Sequence, residues 1–187
     1  MSGAGHIDPS NKKIALLIAV LALVLAFSET LGKGSQTAAL SLNIEASNLW
    51  AFFQAKTIRL TTIRTAADAM ETELPQAISP QTREAMEKRI ADWKKTAARY
   101  ESEPETNEGR KELAARAKVT EAKRDRSLAA YHHYEVASAA VQIAIVLASA
   151  AIITGATVLT WFAGGLGVLG IGFCVIAFFW PTAIHLF

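Results

Sequence analysis

Two long apolar runs near the carboxyl end decide the class of this chain, VASAAVQIAIVLASAAIITGATVL at 136–159 and WFAGGLGVLGIGFCVIAFFW at 161–180. Neither run contains Asp, Glu, Lys, Arg or His, and each is long enough for the ~20 residues that a helix needs to cross a bilayer. They predict two transmembrane helices that a tight turn within 154–160 joins as an antiparallel hairpin. Aromatic residues flank the pair, as they do at lipid headgroups: Tyr131, Tyr134, Trp161 and Trp180.

A third, shorter apolar run lies near the amino end. Residues 14–27 read IALLIAVLALVLAF after Lys12 and Lys13, and residues 28–31 can extend the run to a marginal span. A secretory signal remains an alternative, because the run has the length of a signal core and a small residue follows it. We predict a retained anchor, transmembrane helix 1 at 14–31, after an N-terminal tail at 1–13.

Nearly all the charge lies between the first two spans, at 32–135, which predicts a soluble segment. The bases and acids there are almost balanced and the whole chain has a net charge of +2, so no basic face for a nucleic acid is indicated. Two apolar positions recur with heptad spacing up to Pro75, interrupted by Lys56. A second amphipathic helix begins after Ser79, and a polar linker separates it from a third helix.

We therefore predict an all-α fold: a membrane protein with three transmembrane helices and a soluble stalk formed by a helical hairpin or coiled coil. The stalk helices are expected at about 41–74, 80–102 and 110–135, with the linker at 101–109. One outgoing helix pairs with two returning helices in tandem. The second and third spans are placed at 136–159 and 161–180, with a C-terminal tail at 181–187. Gly32 and Gly34 are predicted hinge points between the first span and the stalk.

Two sets of residues are predicted to form contacts. A two-helix hairpin cannot cover every large apolar side chain of the stalk, so its heptad seam is expected to drive self-association into a homo-oligomer. The residues of that seam are Leu42, Leu49, Phe53, Leu60, Ile63 and Met70. Small residues allow close helix packing in lipid. A ridge on the second span is expected to pack against one on the third, with a buried amide as an added contact: Ala140, Gln142, Ala144, Ala148, Gly164, Gly167 and Gly170.

Two short motifs, NIEASNLWAFFQAK at 43–56 and VQIAIVLASAAIIT at 141–154, resemble the bacterial membrane family known as domain of unknown function 4337. The order of elements is similar as well: an N-terminal anchor, an Ala-rich helix, a charged middle and a C-terminal hairpin. The resemblance implies a bacterial inner-membrane protein and carries over no catalytic residue.

No arrangement of residues indicates an enzyme, a cofactor or a metal site. His132 and His133 are adjacent and point about 100° apart on a helix, so histidines at an interface are the better interpretation. The sequence GGLGVLGIG at 164–172 lies inside an apolar span and fits helix packing better than a phosphate loop. Cys174 is the single cysteine, so an internal disulfide is excluded.

Two classes of function remain. The first is a membrane-anchored oligomeric scaffold, embedded in the lipid bilayer, whose stalk holds another copy or a protein partner. The second is a passive pore or an accessory channel subunit, with a lining drawn from polar residues of the spans: Ser138, Gln142, Ser149, Thr154 and Thr157. The absence of acidic or basic residues within the last two spans argues against a proton-coupled transporter.

Two groups of basic residues indicate opposite membrane sides for the stalk. Lys12 and Lys13 against Lys33 favour a cytoplasmic N-terminus and a periplasmic stalk, while the bases at 116–126 favour the reverse. Long loops translocate largely regardless of their charge, so we prefer the periplasmic stalk.

Overall fold

The structure is a computed structural model that describes the backbone of residues 9–184. This part of the chain is all α-helical and contains no strand, so the predicted fold class is confirmed. The helices are α1 (Pro9–Glu73), α2 (Pro80–Glu101), α3 (Arg110–Thr154) and α4 (Thr157–Phe179). Three of them, α1, α3 and α4, are long and apolar enough to cross a membrane. Parts of both predicted tails, residues 1–8 and 185–187, lie outside the described residues.

The breaks between helices have local causes. A single 3₁₀ turn, Leu74–Gln76, follows α1, because a proline in this turn disfavours helical backbone at the residue before it. At the start of α2, the Ser79 hydroxyl accepts a hydrogen bond from the backbone N–H of Thr82 at 3.1 Å. Between α3 and α4, Gly155 has a φ of +68°, a left-handed conformation that costs glycine little. The turn between α3 and α4 is therefore only two residues long.

No helix break occurs at the predicted hinge points Gly32 and Gly34, because α1 continues without interruption through both residues. Gly32 instead allows close packing. A Cβ atom built on it would lie 3.2 Å from Cβ of Tyr134, which is tighter than ordinary contact. The glycine therefore lets α1 approach α3 closely at this point.

The chain divides into two compact units, which we describe separately. The apolar unit comprises Met1–Leu40 and Lys123–Phe187, and the polar unit comprises Ser41–Ala122. In the apolar unit, side chains of α1, α3 and α4 form one buried cluster: Leu21, Val141, Ala144, Ala148 and Ala163. Because these residues are small or aliphatic, the three helix backbones can lie close together.

In the polar unit, α1 meets the beginning of α3 and, further along, α2. Leu49 of α1 packs with Leu113 and Ala117 of α3. Ile90 and Ala97 of α2 are also buried. The core of the polar unit is therefore a thin row of side chains between paired helices.

Candidate functional site

The predicted self-association seam lies mostly between helices of the same chain. Leu49 and Leu60 are buried, and Phe53 packs against the cluster that Leu49 forms with α3. The other seam residues, Leu42, Ile63 and Met70, are half-buried. We call these six residues the inner seam. Because most of their surface is covered within one chain, they leave little apolar area for a second copy.

Aromatic and charged side chains complete the packing around the inner seam. The indole Nε1 of Trp50 donates a hydrogen bond to Glu121 at 2.9 Å, and its ring meets Phe53 edge-on at 5.4 Å. The Arg110 guanidinium lies over the other aromatic partner, Phe53, at 5.0 Å and pairs with Glu101 at 3.1 Å. Cation–π contacts of this kind contribute about 0.5 to 2 kcal/mol. Sequence reasoning missed both charged partners, since their charge indicates only a solvated helix face.

Lys56, which interrupts the heptad pattern, has a structural role in the polar unit. Its side chain is only 12% exposed, and its ammonium lies 5.1 Å from the centre of the Tyr100 ring and 3.9 Å from Glu108. The aliphatic stem covers apolar surface while the charged end reaches the ring and the carboxylate. A lysine at this position therefore continues the packing instead of breaking it.

The face of α1 turned away from the inner seam is open in the polar unit. Ile44 and Ile58 on that face are 55% and 67% exposed, and Phe52, beside the inner seam, is 63% exposed. Their exposure contrasts with the burial of Leu49 and Leu60 on the same helix. Isolated exposed apolar residues are common on protein surfaces, so the feature that distinguishes Ile44 and Ile58 is that they share one helix face.

The two predicted small-residue ridges have separable roles in the apolar unit. Ala140, Ala144 and Ala148 of α3 are all buried. A Cβ built on Gly170 would lie 2.6 Å from Cγ2 of Val141, and one built on Gly167 would lie 2.6 Å from Cδ2 of Leu21. Gly170 therefore contacts α3, whereas Gly167 contacts α1. A Cβ on the third predicted glycine, Gly164, would meet nothing within 4 Å, so close packing does not require a glycine there.

Polar side chains connect α1 to α3 within the apolar unit. The Ser28 hydroxyl donates to the backbone carbonyl of Leu25 and lies 2.8 Å from the Ser138 hydroxyl, which therefore acts as the donor in that pair. Gln142 donates from Nε2 to the carboxylate of Glu29 at 3.3 Å. The amide was predicted to be a buried contact. That prediction is corrected, because Gln142 is exposed and its partner is a carboxylate within the first predicted span.

These pairs line a groove of about 380 Å³ between α1 and α3. Lys33, Glu29 and Glu135 are its charged residues, so one positive charge faces two negative ones. Of the other polar residues considered for a pore lining, Ser149 and Thr154 donate to backbone carbonyls of their own helix. Such bonds satisfy a hydroxyl locally and require no water-filled passage.

His133 is buried, with 1% of its surface exposed. Its Nε2 lies 3.0 Å from the carbonyl oxygen of Pro181, so this nitrogen carries the proton and donates it. The ring also stacks on Phe173, with the centroids 6.0 Å apart. His132 lies 3.6 Å from Glu135 instead. Since the two rings have separate partners, they do not form a joint site, and among the described residues no group of three or more His, Cys, Asp or Glu could hold a metal ion.

A polar cap begins α3 in the polar unit. The Glu112 carboxylate accepts a hydrogen bond from the Ser102 hydroxyl at 2.6 Å and another from the backbone N–H of Glu103 at 3.1 Å. These bonds stabilise the charged form, so they hold the pKa of Glu112 below its ordinary value of 4.5. Gly109 is required beside them, because a Cβ there would collide with the carboxylate and with the backbone of Glu103. The cap shapes the linker and has no visible role beyond that.

Comparison with known sequences returns one family. A family model described as Domain of unknown function (DUF4337) matches residues 10–180, which include almost all of the four helices. No curated protein and no solved structure matches the chain.

Proposed function

Because the chain belongs to the family described as Domain of unknown function (DUF4337), which transfers no activity, we propose a function from the geometry of the chain itself. The protein is a membrane-anchored scaffold that assembles with further copies of itself through α1. The apolar unit holds it in the bilayer, and the polar unit provides the surface for assembly.

An uncharged stripe on α1 carries this proposal. Starting from Ile44, positions at alternating spacings of four and three residues are all exposed, and none bears a charge. We call this stripe the outer seam, and its residues are Ile44, Asn48, Ala51, Ala55, Ile58, Thr62, Thr65 and Ala69. This spacing places two residues of every seven on the same side of the helix, which is the pattern of a coiled-coil interface.

The occupant that fits the outer seam best is the same stripe of a second copy. Small residues in the middle of the stripe, Ala51 and Ala55, let two helix backbones approach closely, while Ile44 and Ile58 supply apolar contacts on either side. Asn48 would face Asn48 of the other copy in a parallel, in-register pair, where a single amide favours one register over its alternatives. Anchoring in one membrane keeps copies parallel, which agrees with that register.

The inner seam is a weaker candidate for assembly. Replacing its contacts with those of a second copy would require Leu49 to leave Leu113 and Ala117. The outer seam requires no such rearrangement. The self-association predicted from the sequence is thus retained, with a different face of the same helix.

The test compares charge substitutions on the two seams in the full chain, reconstituted in nanodiscs or detergent. Ile44→Glu and Ile58→Glu should convert an oligomer to a monomer at micromolar concentration, measured by light scattering after size exclusion, with helicity unchanged. Gln81→Glu, at an exposed residue of α2 away from the outer seam, is the control and should leave the oligomer intact. Leu49→Glu should lower the thermal stability of the polar unit. A wild-type chain that is monomeric at these concentrations would reject the proposal.

We place the scaffold in a bacterial inner membrane with the polar unit on the periplasmic side. The resemblance in the two motifs supports the bacterial membrane, and the bases Lys12 and Lys13 before the first apolar run support a cytoplasmic N-terminus. In this proposal α1, α3 and α4, which are long and apolar enough to cross a membrane, alternate in direction, so α4 ends on the periplasmic side.

A further inference from the structure

A second groove of about 420 Å³ lies in the apolar unit, where α1, α3 and the end of α4 come together. Its lining combines apolar residues, among them Leu31, Ala177 and Phe178, with hydroxyl-bearing ones, among them Ser35 and Ser127. The volume is within the range of small-ligand sites, about 300 to 1,000 Å³. This groove therefore has room for a ligand with one polar and one apolar part.

Arg126 is the one charged residue among the described residues that line this groove. Within residues 9–184, no carboxylate lies within 4.0 Å of its guanidinium, which is not part of any ion pair there. By contrast, the groove between α1 and α3 has two carboxylates and one ammonium. The net charge of the lining residues is thus positive in the groove with Arg126 and negative in the groove between α1 and α3. Of these two grooves, the one with Arg126 attracts an anion.

The position of the groove along the helices indicates where the anion comes from. Ala177 and Phe178 belong to the last turn of α4, and Pro181 follows it. Trp180 between them is 63% exposed, as expected for an aromatic residue at the level of lipid headgroups. Arg126 is also the last lysine or arginine in the sequence. In the proposed membrane placement, the cation, the hydroxyls and the apolar wall therefore meet at the height where a phospholipid changes from headgroup to acyl chain.

We propose that this groove binds one anionic phospholipid, with Arg126 holding the phosphate and the wall formed by α1 and α4 holding the start of an acyl chain. Basic pockets between membrane helices select anionic headgroups in this way. A planar guanidinium can donate two parallel hydrogen bonds to a phosphate, which adds geometry to charge. The inference rests on the membrane placement in the proposed function and does not depend on oligomerisation.

Native mass spectrometry of the full chain, released from mixed phosphatidylglycerol and phosphatidylcholine, tests the site. Wild type should retain one phosphatidylglycerol in preference to phosphatidylcholine, by about fivefold, since one cation near an anionic headgroup gives an advantage of that order. Arg126→Gln should abolish the preference. Lys123→Gln removes the same charge one helical turn away, on an exposed residue outside the groove, and should leave the preference unchanged.

A second pair of variants tests the shape of the groove without changing charge. Gly34 lines the groove, and a Cβ on it would meet nothing within 4 Å, so Gly34→Leu should fill the space without disrupting α1. It should lower phosphatidylglycerol retention as Arg126→Gln does. Gly172→Leu, on an exposed glycine of α4 that also has open space, is the control and should have no effect.

Three outcomes would overturn the inference. An equal loss of retention in Lys123→Gln and Arg126→Gln would indicate general attraction to the surface. Displacement of phosphatidylglycerol by millimolar inorganic phosphate would make the site one for a free anion. Equal retention of the two lipids by wild type would remove the selectivity, whereas retention of neither lipid would instead reject the membrane placement itself.

Discussion

Substituting Gly170 by alanine provides the most direct test of helix packing in the apolar unit. A Cβ at this position would lie 2.6 Å from Cγ2 of Val141 and 3.2 Å from the carbonyl oxygen of Ala137, both on α3. Gly164, six residues earlier on the same helix, has nothing within 4 Å of the corresponding point. The same chemical change is therefore made once at a helix contact and once in open space.

The size of the effect follows from these distances. Ordinary contact between carbon atoms is about 3.5 to 4.0 Å, so Gly170→Ala requires Val141 to change rotamer or α4 to move about 1 Å away from α3. Overpacking of this kind costs about 1 to 3 kcal/mol, which is about a fivefold to 150-fold change in the equilibrium constant for separating the helices. Gly164→Ala should be neutral or slightly stabilising, because alanine favours the helix by about 1 kcal/mol over glycine.

The single cysteine supplies the assay. Cys174 lies on α4 one turn after Gly170 and packs near Ala130, Tyr134 and Ala177, so its thiol becomes accessible when α4 leaves α3. The chain in mixed micelles is titrated with sodium dodecyl sulfate, and the fraction protected from a brief exposure to a permeant maleimide is measured. Gly170→Ala should move the midpoint to a lower detergent fraction than wild type.

If the midpoints of the sodium dodecyl sulfate titration are equal for Gly170→Ala and Gly164→Ala, the assigned contact between α4 and α3 is refuted. A midpoint for Gly170→Ala above that of wild type would do the same, because added volume can stabilise only where space exists.

Other predictions concern the cap, the polar pair and the topology. Ser102→Ala should raise the pKa of Glu112 towards its ordinary value in an NMR titration of the carboxyl carbon. Because the pKa of Glu112 is lowered in the folded chain, its hydrogen bonds stabilise α3 at pH values above the pKa of this group in the unfolded chain. This stabilisation is lost as the pH falls through the pKa of the folded chain. An unchanged midpoint would show that the hydroxyl does not hold the carboxylate. Gln142→Leu, which removes the bond to the α1 carboxylate, should leave planar bilayers as silent as wild type does, whereas unitary currents altered by the mutation would favour a pore. In a Cys174→Ala background, Glu105→Cys should react with an impermeant maleimide on intact cells. If this cysteine is labelled only after the cells are lysed, the proposed topology is inverted.

Much of the helical architecture could be predicted because its signals are local. Apolar length predicts which helices are able to cross a membrane, and Pro75, Ser79 and Gly155 act on the backbone within a few residues. The resemblance in two motifs likewise indicated the family that later matched residues 10–180. The glycines predicted as hinge points do not interrupt α1, because glycine permits a break without requiring one, and Gly32 instead allows close packing against Tyr134, about a hundred residues away in sequence.

The candidate contact sites were less predictable, since they depend on which face of a helix is already covered. Heptad spacing marked Leu49 and Leu60 as interface residues but did not say that the interface is within the chain. Lys56 appeared as an interruption, and only the Tyr100 ring beside it explains its burial.

By itself, the sequence determined the helical class, the apolar length of each candidate span and the places where helices end, because these properties depend on neighbouring residues. Tertiary structure decided which stripe of α1 is left exposed, which of the glycines of α4 bears a contact, and that Arg126 shares a groove with the end of α4. Those features depend on distances between residues far apart in the chain, and a periodic pattern is the same whether its partner is another helix of the chain, a lipid or a second copy.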